Sequence, residues 1–247
     1  MFEIFLLIFG IGVATGFFDS LVGAGGLISI PSLIFLGIPP QTAIATDRFG
    51  TIGQTLSALY KFWKAKGIVW KYVPILSILA LAGSLIGSII LLNVDTKILE
   101  SVIVILVLVL VPLVLLKRSF GVKSVKTSKF KNIIGLFLYF LIMIFAGFFG
   151  QGTGPMTSYV VIFFLGFTMI ENLGTGIIPW FVLSISSVII FAFNGIIDYQ
   201  IGIVLLVGMA IGGYLGAHIA IKKGNVWVKR LFVLFVVVLS VKLLLFN

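Results

Sequence analysis

The sequence has no cysteine and a single histidine. Disulfide staples, zinc–thiolate sites and thiol chemistry are therefore excluded. Acids are scarce too, with seven Asp and Glu in 247 residues. That leaves little material for a metal centre, so neither a metal nor another cofactor is expected. No nucleophile-plus-base pattern, metal motif or phosphate-binding loop occurs. A membrane-embedded enzyme acting on lipid lacks the acidic or histidine clusters such chemistry needs, and the chain reads as a non-enzyme. Charged residues make up only 10% of the chain, against roughly a quarter in a soluble domain. So little polar surface cannot coat a water-soluble core.

Hydrocarbon fills the gap. Hydrophobic residues account for 61% of the chain, 24 of them Phe. Val73–Leu92, Ile98–Leu116, Ile201–Ile221 and Val226–Phe246 are apolar runs of membrane-spanning length, since about 20 helical residues cross the hydrocarbon core. The formal charge of +10 does not point to nucleic acid. Its Lys and Arg cluster in short connections between apolar runs, the positive-inside pattern of a multi-pass protein of the cell (plasma) membrane. Met1–Thr15 is apolar but lacks a basic leader and carries Glu3, so it reads as a membrane segment and not as a cleaved signal peptide.

The chain repeats itself. Gly16–Gly23 reads against Gly147–Gly154, Ala45-Thr46 against Gly174-Thr175, Thr55 against Ser184, and Gly83–Gly87 against Gly212–Gly216. The expected organisation is a first membrane repeat over 1–116, a basic cytoplasmic linker over 117–131 and a second membrane repeat over 132–247. Basic loops at Lys61–Lys71, Lys117–Lys131 and Lys222–Arg230 are placed on the cytoplasmic side. Helices at about 41–62, 72–92 and 98–116 then alternate correctly, as do those at about 171–193, 200–221 and 226–246. Met1–Gly37 and Asn132–Gly166 must each enter and leave on one side, as a glycine-broken hairpin of two short helices. The fold class is thus an all-α integral membrane protein. It has two inverted repeats, each a glycine-broken helical hairpin followed by three transmembrane helices.

Interrupted helices in inverted repeats are an architecture of secondary transporters. Backbone N–H groups at the start of a half-helix have no intrahelical partner, and the dipole there favours an anion. Gly23, Gly25 and Gly26 at the first break, and Gln151, Gly152, Thr153 and Gly154 at the second, are therefore candidate substrate-binding residues. The two tips would meet near the midplane. The alternative is that these glycines only allow close packing, which is the preferred reading for Gly83, Gly87, Gly212 and Gly216.

The helix that starts near Gln41 carries a polar stripe: Thr46, Asp47, Arg48, Thr51, Gln54 and Thr55. Arg48 stands roughly 12 Å along it, at 1.5 Å per residue, where a charge is by default a functional hypothesis. Its guanidinium suits an oxyanion; otherwise it bonds backbone carbonyls at a hairpin tip or pairs with another helix. Thr175, Trp180, Ser184 and Ser187 form a milder stripe in the second copy. Asp47 and Asp19 are candidates for ion coupling, and Asp19 and Ser20 equally for capping the first break. Glu171 and Asn172 read as a helix start, His218 as an interfacial side chain, and Met143, Met156 and Met169 as packing.

Gly16–Gly26 followed by Pro31, then Gly37-Ile38-Pro39-Pro40 and Ala43–Thr46, resembles the TauE/SafE sulfite-exporter family of membrane permeases. Gly147–Pro155 and Gly166–Thr175 resemble the same motif in degenerate form. Lys64–Val69 and Asn194–Asp198 look like the loop that follows it. The resemblance implies secondary transport of a small anion such as sulfite, thiosulfate, a sulfonate or another organic acid. The chain departs from the pattern in its short first glycine run, in Gln151–Pro155, and in Asp47-Arg48 where an uncharged pair is usual. A midplane site of Arg48, both tips and Thr46/Thr175 is expected. The alternative is an anion channel or a non-transporting partner subunit. The partners implied are the anion and the lipid bilayer; the oligomeric state stays open, a homodimer included.

Overall fold

The computed structural model describes residues 2–93, 121–150 and 153–245, with side chains described from residue 3 to 234. The helix expected at 98–116 lies outside the described residues. In chain order the helices are α1 (Phe2–Val22), α2 (Gly26–Phe35), α3 (Pro40–Lys64), α4 (Val73–Asn93), α5 (Lys129–Phe148), α6 (Thr153–Val160), α7 (Met169–Phe193) and α8 (Tyr199–Leu245). A π-helical turn, Val161–Leu165, extends α6, and α8 breaks at Gly224 (φ 79°, ψ 177°). No strand occurs among the described residues.

Local chemistry sets the boundaries. Pro40 opens α3 at a position where its missing N–H costs nothing. Thr168 and Glu171 form a reciprocal capping box on α7. Lys66 (φ 55°) and Gly195 (φ 65°) take the left-handed conformation in the turns after α3 and α7.

Among the described residues, five helical segments are long and apolar enough to cross a membrane: Glu3–Val22, Val73–Asn93, Lys129–Phe148, Met169–Phe193 and Tyr199–Leu234. Their outward faces carry Leu6, Ile78, Phe137 and Ile203, all more than half exposed. Lipid is the solvent that makes such a surface stable.

The hairpins differ from the sequence expectation of two short arms. Their first arms run full length, 21 residues in α1 and 20 in α5. Only the second arms, α2 and α6, are short, with 10 and 8 residues. The reason is packing. Gly12 and Gly16 lie inside α1, pressed on the backbone of α8 at Leu205–Gly213, and close contact offsets their weak helix propensity. The chain breaks only after Val22.

The two halves interleave. α1 packs on α8 and α5 on α4, each hairpin thus leaning on the other copy. α3 packs on α7 and α8, and α4 on α7. Gly83 and Gly87 lie against Met143–Phe148, and Gly212 and Gly216 against Val13–Phe17, with no room for a β-carbon. Those four glycines are packing residues. Ser84 hydrogen-bonds Ser186, and Ser88 donates to Ser187 at 2.9 Å. Such hydroxyl pairs join helices that gain no hydrophobic drive from lipid.

Direction follows from register. The end of α3 meets the start of α7: Gly174 lies on Phe62 and Gly67, and the Val69 N–H donates to Thr175 Oγ1 at 2.9 Å. At the other end, the Asp198 N–H after α7 donates to Thr46 Oγ1 at 3.1 Å. α3 and α7 therefore run antiparallel, each bonded through a threonine to the loop that follows the other.

Candidate functional site

α3 has 25 residues, enough to span a membrane, yet its polar stripe keeps it off the apolar set. Asp47, Arg48, Thr51, Gln54 and Thr55 are all buried. In hydrocarbon such a helix is tolerable only when other protein encloses it or a cavity receives it. Both hold. Around α3 lies a cavity of about 70 Å³. That is room for a few waters or a small ligand.

The wall draws on both copies. From the first come Asp19, Ser20, Gly23, Gly26 and the stripe of α3; from the second come Gly150, Gly154, Thr157, Ser158, Asn172 and Trp180. The hairpin tips touch here: a β-carbon on Gly154 would fall on the Gly23 carbonyl, and Gly23 itself stands at φ 71°. α7 adds Gly176 and Ile177 to the wall, the positions that the sequence repeat sets against Asp47 and Arg48. Only the ring of Trp180 stands within 4 Å of where a Gly176 β-carbon would lie. That leaves room on one side of the cavity.

Arg48 is 3% exposed. Its guanidinium donates to the Ala146 carbonyl in the last turn of α5. It stands 5.8 Å from the Trp180 ring centroid and closes on Gly150, where a β-carbon has no room. A cation suits the orphan carbonyls and negative dipole of a helix end. Of the sequence alternatives, the carbonyl contact at a hairpin tip is present, and Arg48 Nε is left without a partner among the described residues.

The carboxylates are tied to the short helix α2. Asp19 Oδ1 accepts the Gly25 N–H at 2.9 Å, capping the break, and Asp47 Oδ1 accepts from Ser29. Both acids also line the cavity. Gln54 Nε2 donates to Ser20 Oγ at 2.8 Å, while Gln54 Oε1 has no partner among the described residues. Asn172 Nδ2 donates to Ser158 Oγ at 2.8 Å. The Tyr139 hydroxyl is buried and likewise unpartnered.

The structure therefore brings Asp19, Gly23, Gly26, Asp47, Arg48, Thr51, Gln54, Gly154 and Thr175 to one cavity. It does not bring Thr46, Gly25 or Thr153 into the wall. Thr46 is committed to the Asp198 loop, Gly25 to Asp19, and the Thr153 hydroxyl donates to the Gly150 carbonyl at 2.7 Å. Ser184 and Ser187 lie buried on α7 outside the wall. Gln151 and Gly152 lie outside the described residues. Sequence reasoning missed Tyr139, Thr157, Ser158 and the cavity role of Asn172. The adjacent hydroxyls of Thr157-Ser158, just after Pro155 in an apolar stretch, were the available signal. Tyr139 gave none.

The family model described as Sulfite exporter TauE/SafE matches residues 8–243. The chain belongs to this family. It is 26% identical over 98% of its length to a probable membrane transporter protein of Haemophilus influenzae, covering 94% of that protein. It is 25% identical over 96% of its length to the probable membrane transporter protein YfcA of Escherichia coli, covering 88% of it. Similarity to the probable membrane transporter protein YdhB of Bacillus subtilis is 26% over 87% of the chain and 88% of the relative. No solved structure matches. Family, relatives and apolar helices agree: this is a multi-pass membrane transporter.

Proposed function

We propose that the chain carries a small oxyanion across the plasma membrane by alternating access around the α3 cavity. The observation that carries the proposal is Arg48: a buried guanidinium with an unpaired Nε, in a cavity walled by both hairpin tips. An oxyanion supplies the acceptors that such a group lacks, through charge-assisted hydrogen bonds. The cavity suits a cargo of a few heavy atoms, and the family's description as a sulfite exporter favours sulfite, thiosulfate or a small sulfonate. Residues 1–116 and 132–247 act as inverted repeats joined by a cytoplasmic linker at 117–131. Rocking one against the other about the Gly23–Gly154 contact opens the cavity to each side in turn.

Asp47 and Asp19 couple the cycle to an ion, a proton being the simplest. Each carboxylate lines the cavity and holds α2, so a change in its charge reaches substrate and hairpin together. The test is flux into proteoliposomes. Arg48→Gln is expected to cut sulfite flux roughly 10- to 150-fold, given 1.5–3 kcal/mol for the lost charged hydrogen bond. Undiminished flux in the folded variant removes Arg48 from the mechanism.

A further inference from the structure

The outer surface holds a groove of about 570 Å³, between the last turns of α1 and the two segments of α8 on either side of the Gly224 break. It shares no lining residue with the α3 cavity. Its apolar walls are Phe17, Phe18 and Leu21 from α1, with Trp227 and Leu231 from α8 beyond the break. His218, Lys222 and Lys223, from α8 just before the break, complete it, and no Asp or Glu is among its lining residues.

The polarity of the groove changes with depth. The helix from Tyr199 to Lys223 runs about 37 Å at 1.5 Å per residue, longer than the roughly 30 Å of hydrocarbon in a bilayer. Lys222 and Lys223 therefore stand at the membrane surface, and the positive-inside rule makes that surface the cytoplasmic one. His218 lies one turn deeper on the Lys222 face, and all three side chains are exposed. Phe17 packs on Gly212 and Gly216, so the apolar wall begins roughly 9 Å below Lys222 at the same rise per residue. Snorkelling explains a lysine at a helix end. It does not explain why the basic group caps an apolar groove.

We propose that this groove binds an anionic phospholipid of the cytoplasmic leaflet. Its phosphate sits among His218, Lys222 and Lys223, and an acyl chain lies along Phe17, Leu21 and Leu231. Charge selects the occupant: a plain apolar surface takes any lipid, whereas a basic pocket between membrane helices favours an anionic headgroup. Phe18 and Leu21 flank Asp19 and Ser20, which line the α3 cavity from the other side of α1. The bound lipid thus braces the turn of α1 that leads to the hairpin tip at Gly23, whatever cargo the cavity takes.

Trp227 reports occupancy from inside the groove. Purified protein in an uncharged detergent is titrated with phosphatidylglycerol brominated on its acyl chains, and with phosphatidylcholine labelled alike. Phosphatidylglycerol should quench part of the tryptophan fluorescence saturably, and that part should vanish in Trp227→Phe. The double variant Lys222→Gln, Lys223→Gln should raise the half-saturating concentration about 25-fold, at roughly fivefold for each lysine near an anionic surface. Lys223→Gln alone should raise it about fivefold, which keeps the test open should the double variant fail to fold. Lys64→Gln, Lys66→Gln, in another basic turn, should leave it unchanged. Equal quenching by phosphatidylcholine, or an equal loss in the Lys64, Lys66 variant, overturns the proposal in favour of general attraction to the surface. Displacement of the lipid by free glycerol phosphate at matching concentration also overturns it, because the acyl chain would then contribute nothing. A dimer whose Trp227 stays unquenched makes a second copy of the chain the occupant instead.

Discussion

Thr46 and Thr175 decide whether the matching threonines of the two copies hold the fold or the cargo. Both are fully buried, and each hydroxyl oxygen accepts a backbone N–H from the loop of the opposite copy. Replacing either with Val keeps the shape and removes the acceptor. An unmet buried donor costs about 1–3 kcal/mol. Val69 and Asp198 are partly exposed, so water meets some of the loss and about 1–2 kcal/mol is expected. For a chain of this size each kcal/mol lowers the midpoint by roughly 2–4 °C, giving about 2–8 °C per variant. The two pins lie at opposite ends of α3, about 27 Å apart for the 18 residues from Thr46 to Lys64 at 1.5 Å each. Their effects should therefore add in the double variant. The assay is thermal unfolding in one detergent, paired with sulfite affinity. Thr46 lies outside the cavity wall, so Thr46→Val should leave affinity untouched. A Thr46→Val protein with an unchanged midpoint and weakened sulfite binding would falsify the structural assignment and make the threonine a ligand.

Two other outcomes follow from the tips and the carboxylates. Gly154→Ala places a methyl on the Gly23 carbonyl; the clash is with backbone, so the loss should reach or pass the roughly 1–3 kcal/mol of ordinary overpacking. Poor yield or a clearly lowered midpoint in detergent is expected, and a wild-type midpoint would mean the tips do not touch. Asp47→Asn keeps a partner for Ser29 but removes the charge; downhill anion exchange should persist while accumulation driven by a pH gradient, worth about tenfold per unit for one proton, disappears. Retained accumulation would pass the coupling role to Asp19.

Composition alone determined the solvent and the class. A chain with 61% hydrophobic and 10% charged residues cannot fold in water, and its apolar runs and basic loops set where helices begin and end. The boundaries near α3, α4 and α7 were legible from the basic loops and the lengths of the apolar runs; Pro40, the capping box at Thr168 and the turn at Lys66 then fix them locally. Arg48 and Asp47 were legible because a charge in an apolar run needs a reason.

Tertiary structure alone decided what those residues do. No local rule says that Gly12 and Gly16 continue a helix while Gly23 ends one. The difference lies in the α8 backbone pressed on the first two. Thr46 and Thr175 look alike in sequence, yet only Thr175 lines the cavity, and both are committed to loops more than 100 residues away. Tyr139 reads as one aromatic among many on an apolar helix. Its place in the cavity wall, and the missing partner of its hydroxyl, exist only once α5 has folded against α4 and the Arg48 side chain of α3 has reached its last turn. Hydrophobic pattern is a property of neighbours in the chain; an unmet hydrogen bond is a property of neighbours in space.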